Sequence, residues 1–266
     1  MSALEREIER LGPWFHNLHL PDGTQTHPGH PLGDFPNFKW QKLAPHLPQD
    51  LSGATVLDIG CNAGFYSLEL AKRGAEVTAI DVDAHYLDQA RWAAERYGLS
   101  RSIRFRQAQV YELSRAERRW DIVLFLGVLY HLRYPMLGLD IVSRCVRRML
   151  VVQSLEAPGE ELEVAPQNLE LEQRAPLARP GWPRLAFIEH ALAGDCTNWW
   201  APNRACMEAM LRSTGMRVLS RPLEEFYVCE PDPEQPSSMW SWNEDEYWAA
   251  TGGRPEPLSG GDGRRP

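Results

Sequence analysis

The sequence lacks long hydrophobic runs, paired cysteines and an excess of basic residues. No window of about 18 apolar residues occurs, so we expect no transmembrane helix. The N-terminus is charged and has no apolar segment typical of a signal peptide. The five cysteines are dispersed, which argues against a disulfide framework or a zinc cluster and favours a cytoplasmic location. The net charge of −8 works against a large phosphate-neutralising surface.

Strand and helix patterns alternate through residues 54–154, within a chain of 266 residues that suits one domain with additions. We predict helices at about 65–73, 84–97, 135–147 and 203–214. The predicted strands are Thr55–Ile59, Glu76–Ile80, Ile103–Ala108, Asp121–Phe125, Leu150–Gln153, Met216–Ser220 and Glu225–Cys229. This order predicts an α/β, Rossmann-like fold: a seven-stranded, mostly parallel sheet with an antiparallel last strand and helices on both faces.

A glycine turn follows the first predicted strand. The apolar run stops at Asp58, and Gly60 and Gly64 come directly after it. This is the pattern of a buried strand, a tight turn and a helix start, where backbone N–H groups can approach a ligand. Asp81 ends the next strand, where a carboxylate can accept both hydroxyls of a ribose. We therefore predict a nucleoside-binding crevice; the alternative is that the glycines only permit close packing of helix on strand.

The spacing of the glycines distinguishes between nucleosides. A dinucleotide site needs G-x-G-x-x-G, whereas this turn is Gly60-x-x-x-Gly64 with Asp58 two residues before it. An acid at that position repels a diphosphate but suits a ligand with an ammonium group and no phosphate. S-adenosyl-L-methionine (SAM) carries a ribose, a sulfonium and an amino acid tail, so we expect SAM as the cofactor.

Two further segments carry a family resemblance. With Phe65-Tyr66-Ser67 after it, the glycine turn resembles the first motif of class I SAM-dependent methyltransferases. The string Gly127-Val128-Leu129-Tyr130-His131, with Phe38-Lys39-Trp40 and Pro45-His46-Leu47 upstream, resembles the family of the tRNA wobble-uridine carboxymethyltransferase and its methyltransferase relatives. The resemblance extends from about Lys39 to Leu150.

The resemblance implies a choice between two cofactors. In the tRNA-modifying family the cofactor is carboxy-SAM, whose extra carboxylate is held by a lysine, a tyrosine and a C-terminal arginine. Lys39 and Tyr130 match the first two positions, and no counterpart of the arginine is evident. A missing charge-assisted bond is worth roughly 1.5–3 kcal/mol. We therefore expect SAM rather than carboxy-SAM.

Position on the sheet assigns the cofactor-binding candidates. The turn would border the methionine tail, with Asp58 near its ammonium, and Asp81 would hold the ribose. Val82, Gln109 and Val110 would contact the adenine, and Leu126 and Gly127 would face the sulfonium. Val82, Val110 and Leu126 could instead be ordinary core residues. The candidates in the turn are Asp58, Gly60, Cys61, Asn62 and Gly64.

The acceptor side has several candidates. Lys39, Tyr130 and His131 are the catalytic ones; His131 is either a general base or a structural residue that caps the helix beginning at Pro135. Arg133 either pairs with an anionic acceptor or lies on the surface. Adjacent tryptophans can form a platform for a ring or sugar face, although they could equally fill the core. The acceptor-binding candidates are Trp40, Arg133, Glu189, His190, Trp199, Trp200 and Asn203.

The histidines of the N-terminal region fit no compact ligand set, so we expect no metal. We divide the chain into an N-terminal arm or lid (1–50), a SAM-binding core (51–154), an insertion that caps the acceptor site (155–202), the C-terminal part of the sheet (203–230) and a tail (231–266). The tail is expected to be partly disordered, from Gly252 onward.

The leading hypothesis is a methyltransferase that acts on an oxygen or nitrogen of a small molecule, such as a sugar or natural product. One alternative is a tRNA wobble-uridine carboxymethyltransferase using carboxy-SAM, which the acidic charge disfavours. Another is a SAM-binding partner subunit without catalysis. No membrane partner is expected, and the oligomeric state stays open.

Overall fold

A computed structural model describes residues 2–116, 118–163, 165–166, 168–234 and 241–253. The helices are α1 (Ala3–Arg10), α2 (Asn37–Leu43), α3 (Phe65–Lys72), α4 (Ala84–Arg96), α5 (Pro135–Arg144), α6 (Arg204–Ser213) and α7 (Ser241–Ala250). The strands are β1 (Thr55–Ile59), β2 (Glu76–Asp81), β3 (Ile103–Gln107), β4 (Trp120–Leu126), β5 (Val146–Gln153), β6 (Leu185–Phe187), β7 (Trp200–Pro202), β8 (Met216–Ser220) and β9 (Phe226–Pro231).

Seven strands form one sheet in the order β3-β2-β1-β4-β5-β9-β8. The first five are parallel, and β9 runs antiparallel to both β5 and β8. The predicted Rossmann-like class with an antiparallel last strand is therefore confirmed. Because β1, β2 and β4 are parallel neighbours, their carboxyl ends lie side by side at one edge, where ligands of open α/β sheets bind.

The core has two layers, one on each face of the sheet. Along β4, Leu124 belongs to the layer that includes Leu68 of α3 and Leu87 of α4. Its neighbour Val123 belongs to the opposite layer, with Leu139 of α5. This alternation is the period-two geometry of a strand buried on both faces, and it holds the turn residues at the carboxyl edge in place.

The N-terminal segment is held against α4. The Trp14 and Trp92 rings lie 5.6 Å apart, and Gln89 Nε2 donates to the carbonyls of Leu11 and Pro13 at 2.7 and 2.9 Å. This packing brings the following residues, including His16, over α3.

Some elements differ from the sequence-based predictions. Helix α5 ends at Arg144 rather than at 147, and β5 begins at Val146 rather than at Leu150. The backbone N–H of Trp120 donates to the Cys145 carbonyl at 2.8 Å. Because β5 forms hydrogen bonds with β4, residues whose local pattern is helical belong to the strand instead. Strands β6 and β7 were not predicted because three residues are too few to show a period. Helix α7 lies within the segment predicted as a tail; beyond Gly253, the predicted disorder concerns residues outside the described ones.

Candidate functional site

The glycine turn occupies residues 60–64, between β1 and α3. Gly60 has φ of 72° and Gly64 has φ of 81°, in the left-handed region that glycine adopts without steric cost. A Cβ on Gly60 would come within 2.4 Å of Val128 Cγ2. The turn therefore lies directly against the segment that follows β4, and a side chain at position 60 would clash with Val128.

The glycine N–H groups of this turn are already bonded inside the protein. Gly60 and Cys61 both donate to the Ile80 carbonyl, at 2.8 and 3.0 Å, and Gly64 donates to the Cys61 carbonyl at 2.9 Å. The expectation that backbone N–H groups of the turn approach a ligand is therefore wrong.

The two remaining N–H groups are also occupied. Asn62 N donates to Asp81 Oδ2 at 2.8 Å, and Ala63 N donates to Asn62 Oδ1 at 2.7 Å. A phosphate needs free N–H donors, and residues 60–64 offer none. The turn thus offers no donors to an anion, whereas the carboxylates of Asp58 and Asp81 beside it suit a cationic ligand.

Asp81 lies at the end of β2, as predicted, and is 7% exposed. Its Oδ1 accepts a hydrogen bond from Asp83 N at 2.9 Å, in addition to the bond from Asn62. Burial raises the pKa of this carboxyl. Each carboxylate oxygen has a second lone pair, so Asp81 retains acceptor capacity for a diol.

Asp58 is enclosed beside the turn, with 2% of its surface exposed. Its Oδ2 accepts a hydrogen bond from Ser67 Oγ at 2.6 Å. Burial raises the pKa of Asp58 to about 6, and the charge of Asp81 adds to this rise while the Ser67 bond opposes it. A cation bound nearby would favour the ionised form.

The residues expected around an adenine differ in exposure. Val82 is 55% exposed and Val110 is 4% exposed, so core burial does not account for Val82. Gln109 is exposed and starts the 3₁₀ helix Val110–Arg115, where its backbone N donates to Glu112 Oε1 at 2.7 Å. Leu126 is half-buried at the end of β4. Val82 is therefore free to be covered by a ligand, whereas the burial of Val110 agrees with an ordinary core residue.

Glu225, a carboxylate that the sequence analysis did not single out, acts electrostatically on both Lys39 and Tyr130. Burial lowers the pKa of Lys39, and the charge of Glu225 opposes that shift. Burial also raises the pKa of Tyr130 to about 12, with further contributions from Glu225 and Asp195. The lysine and the tyrosine therefore lie within the electrostatic influence of the same carboxylate.

Glu225 has φ of 67°, a left-handed conformation that is uncommon for a residue with a side chain. Its Oε2 accepts from Gln153 Nε2 at 3.1 Å, and its Oε1 accepts from Glu156 N at 3.4 Å. These bonds hold the carboxylate at the carboxyl end of β5. Its sequence context gave no signal, because the position depends on the pairing of β5 with β9.

His131 lies in the 3₁₀ helix Leu129–His131, and its ring packs 4.3 Å from the Tyr130 ring. It does not cap α5, whose N-cap position is Tyr134 with no side-chain bond. Instead, His131 Nδ1 lies 2.9 Å from Thr197 Oγ1 and 3.9 Å from Asp195 Oδ2. The cap interpretation is therefore wrong, and the inserted segment meets the imidazole.

An aromatic platform composed of Phe187 and Trp199 lies beside His131. The two rings are 6.4 Å apart and stacked at 14°, and the Arg133 guanidinium lies 4.6 Å from the Trp199 ring. The backbone N–H of Trp199 donates to the Tyr130 carbonyl at 2.9 Å. Trp200 supports the platform, 5.0 Å from Phe187. The insertion is thus attached to the segment that follows β4.

Comparisons with known proteins agree with this geometry. Residues 56–150 match a family model described as a methyltransferase domain. Among solved structures, the N-terminal domain of EvdMO1, determined in the presence of SAH and D-fucose, has a TM-score of 0.55 and 20% identity; the alignment covers 86% of this chain and 95% of that one. The [4+2]-cyclase SpnF has a TM-score of 0.51 and 17% identity, over 82% of this chain and 70% of its own.

The chain contains a class I SAM-dependent methyltransferase domain. SAM is the cofactor of this class, and the crevice of this domain fits it: the carboxylates of Asp58 and Asp81 border the glycine turn, and no N–H of residues 60–64 is free for a phosphate. Because one structural neighbour is a cyclase, the fold alone does not assign the acceptor.

Curated relatives of the methyltransferase domain carry a more specific name. A tRNA U34 carboxymethyltransferase from Alcanivorax borkumensis is 34% identical over 170 residues, which is 61% of this chain and 50% of that protein. The protein of the same name from Idiomarina loihiensis is 36% identical over 132 residues, 48% of this chain and 41% of its own. The chain spans about half the length of these relatives.

Two of the predicted acceptor residues stabilise the fold and are closed to a ligand. Trp40 is 7% exposed and belongs to the hydrophobic core, 6.2 Å from Tyr66. Asn203 caps α6 by accepting from Cys206 N at 2.9 Å, and its Nδ2 donates to the Trp182 carbonyl at 2.8 Å. Neither side chain is open to an acceptor, so their predicted role in acceptor binding is wrong.

Glu189 and His190 are exposed on the inserted segment, and within the described part of the chain neither side chain forms a hydrogen bond, ion pair or ring contact with His131 or the platform. His16 is more central than expected: it is 6% exposed and packs 6.4 Å from the Tyr66 ring. Burial, with the charges of His30 and Lys39, lowers the pKa of His16 to about 3, so His16 stays neutral.

The part of the chain that the structure describes contains no group of three or more His, Cys, Asp or Glu side chains placed to hold a metal ion. It also contains no helix that is long and apolar enough to cross a membrane. A cavity of about 620 Å³ lies at the opposite end of the sheet, between Asp50, Asp121 and Arg147. Since ligands of this fold bind at the carboxyl ends of the strands, we do not assign that cavity a role in the reaction.

Proposed function

We propose that this protein transfers a methyl group from SAM to an oxygen or nitrogen of a small-molecule acceptor. The observation that carries the proposal is the hydrogen bonding of residues 60–64, which leaves no donor for a phosphate while Asp58 and Asp81 stand beside the turn. SAM supplies an electrophilic methyl group on a sulfonium.

Different residues would bind SAM and align the acceptor. Asp81 holds the ribose hydroxyls, and Asp58 attracts the ammonium of the methionine tail. Val82 and Val110 flank the adenine. Methyl transfer is an in-line displacement, so alignment of the acceptor accounts for much of the rate. Tyr130 and His131 leave β4 where that alignment is needed, and the platform of Phe187 and Trp199 supports the acceptor ring.

Glu225 favours SAM over carboxy-SAM. The charge of its carboxylate acts on both Lys39 and Tyr130, the two residues that match the carboxylate-binding positions of the tRNA-modifying family. A second carboxylate, brought in by the cofactor, would meet a like charge there, and like charges at close range are unfavourable.

The second candidate is tRNA wobble-uridine carboxymethylation with carboxy-SAM. The names of the curated relatives and the presence of Lys39 and Tyr130 favour it. Under this candidate, Glu225 would have to leave the lysine free for the cofactor. It also requires tRNA binding with a steep salt dependence, by a chain of net charge −8.

Calorimetry with SAM and with carboxy-SAM separates the two candidates. We expect the wild-type protein to bind SAM at least tenfold more tightly, and Glu225→Arg to reverse the preference, because an arginine can pair with a carboxylate. Glu225→Gln, which removes the charge and keeps the shape, should fall between the two. Tighter binding of carboxy-SAM by the wild type, together with salt-sensitive tRNA binding, would establish the second candidate instead.

A further inference from the structure

We propose that Thr197 and Asp195 orient His131 as the general base for a neutral hydroxyl acceptor, so that the reaction is an O-methylation of an alcohol such as a sugar hydroxyl. This inference rests on the proposed methyl transfer and specifies the acceptor. Thr197 and Asp195 are positioning residues on the inserted segment, and His131 is the catalytic residue.

The hydrogen-bond donors determine which ring nitrogen carries the proton. The Thr197 hydroxyl donates to Asp195 Oδ1 at 2.6 Å. A hydroxyl has one hydrogen, so Thr197 Oγ1 can only accept from His131 Nδ1, 2.9 Å away. The Thr197 carbonyl, 3.3 Å from the same nitrogen, is also an acceptor only. Both contacts therefore require hydrogen on Nδ1, and the neutral ring has its lone pair on Nε2.

Asp195 is held in place independently of the histidine. Its Oδ1 also accepts from Thr197 N at 2.7 Å, and these bonds to Thr197, with the nearby His131, lower the pKa of Asp195. The second oxygen, Oδ2, lies 3.9 Å from His131 Nδ1. An ionised carboxylate at this distance stabilises an imidazolium when it forms.

The other ring nitrogen of His131 is available to an acceptor. Nε2 has no hydrogen-bond partner among the residues that the structure describes, and the side chain is 34% exposed. The charged and titratable groups around it are Asp195 and Thr197 from the insertion, Tyr130 and Arg133 from the segment after β4, and Glu225 beyond Tyr130. The platform of Phe187 and Trp199 lies next to Arg133.

The methyl transfer balances in atoms and charge with His131 as the only proton acceptor. His131 Nε2 takes the hydroxyl proton as the acceptor oxygen forms its bond to the methyl carbon. The carbon–sulfur bond breaks, and its electron pair stays on sulfur. The products are a methyl ether, a neutral thioether and an imidazolium, which loses its proton to solvent through the exposed part of the ring. The positive charge of the sulfonium thus ends on His131, beside Asp195.

The oriented histidine favours a hydroxyl over a carboxylate acceptor. A carboxylate is already ionised and needs no base, so the contacts of Thr197 and Asp195 with His131 would do nothing for it. A neutral alcohol is a weak nucleophile until its proton is removed. The arrangement thus supplies the assistance that an alcohol requires.

The ring tautomer of His131 can be measured without any acceptor. In the full chain labelled with ¹⁵N-histidine, and assigned with His131→Gln, we expect the neutral ring to carry hydrogen on Nδ1. Thr197→Val and Asp195→Asn should shift the population towards hydrogen on Nε2. Thr197→Ser, which keeps the hydroxyl, should retain the wild-type tautomer, as should Glu172→Gln, an exposed change in the same insertion.

SAM affinity by calorimetry should stay within about twofold in all of these variants, which shows that they fold. In wild-type protein supplied with methyl-labelled SAM and a small-molecule cell extract, the labelled product should be an alkali-stable, uncharged methyl ether. Its rate of formation should fall at least about tenfold in Thr197→Val and recover in Thr197→Ser.

Two results would overturn this inference while leaving methyl transfer intact: hydrogen on Nε2 in the wild type, or a labelled product that is an alkali-labile ester or a methylamine. Absence of SAM binding, or absence of labelled product despite it, would overturn the proposed function itself.

Discussion

The carboxylate of Asp81 accepts a hydrogen bond from the backbone N–H of Asn62 at 2.8 Å, and Asn62 has φ of 51°. The acid at the end of β2 therefore holds the glycine turn in its left-handed conformation. One side chain both shapes the turn and presents oxygen atoms to the crevice, so the ribose contact and the turn are coupled.

This coupling makes Asp81 the most sensitive position for SAM binding. We expect Asp81→Ala to weaken SAM binding at least a hundredfold, because the turn and the diol both lose their acceptor. Asp81→Asn retains one acceptor oxygen and should weaken binding less. Calorimetry on both variants measures this; Asp81→Ala with wild-type affinity would contradict the proposed role.

The affinity for SAM should depend on pH through Asp58. Its pKa is raised to about 6, and a bound ammonium would lower it. Binding below this pH therefore releases a proton, so the dissociation constant should rise by up to about tenfold per pH unit as the pH falls below about 6. Asp58→Asn should remove the dependence. Ser67→Ala removes the hydroxyl that donates to Asp58 and should move the transition to higher pH.

Asp58 should also affect the stability of the ligand-free protein. Its folded pKa of about 6 lies above the ordinary value of 3.8, so the folded state binds more protons between these pH values. The free energy of unfolding should therefore fall as the pH rises from 4 to 6, with a contribution of about 3 kcal/mol. Denaturant titration of the wild type and Asp58→Asn across this range checks the sign; an equal slope in both would contradict it.

Gly60 and Val128 should show coupled effects. Gly60→Ala places a Cβ within 2.4 Å of Val128 Cγ2 and adds left-handed strain, which costs of order 1–3 kcal/mol. Val128→Ala removes the clashing atom but not the strain, so it should recover only part of the stability of Gly60→Ala. Thermal unfolding of the wild type, both single variants and the double variant completes a double-mutant cycle. If the losses of unfolding free energy in the single variants simply added up in the double variant, the contact between Gly60 and Val128 would be contradicted.

Asn203→Ala should affect stability rather than SAM binding. The side chain caps α6 and also bonds Arg184 N at 3.0 Å, and loss of such a cap costs roughly 0.5–2 kcal/mol. SAM affinity should stay at the wild-type value in calorimetry, since Asn203 is not in the crevice. Loss of methyl transfer in Asn203→Ala with unchanged stability and unchanged SAM affinity would restore the sequence-based assignment of Asn203 to acceptor binding.

The nucleoside half of the fold was predictable because its signals are local. Asp58, Gly60 and Gly64 lie within seven consecutive residues, and the turn conformation depends on glycine itself. The strand boundaries of β1 and β8 followed from short apolar runs with clear breaks. The turn N–H groups were wrongly expected to be free, because their partners come from β2 and from the turn itself.

The acceptor half was less predictable because it is assembled from distant segments. The charge of Glu225 acts on Lys39 only after β9 pairs with β5, and Thr197 contacts His131 only after the insertion folds back. Trp40 and Asn203 were misassigned because an indole in a core and an amide at a cap have the same composition signal as a binding residue. Physical context, not residue type, distinguishes these cases.

The bond from Trp199 N to the Tyr130 carbonyl involves main-chain atoms alone. A contact of this kind tolerates exchange of the surrounding side chains, provided that neither position becomes proline. Residues 189–191 can therefore be varied, with Asp195, Thr197 and this main-chain bond left in place, to test whether the segment sets acceptor choice. Such variants leave the glycine turn, Asp58 and Asp81 unchanged, so SAM binding and acceptor choice can be examined separately.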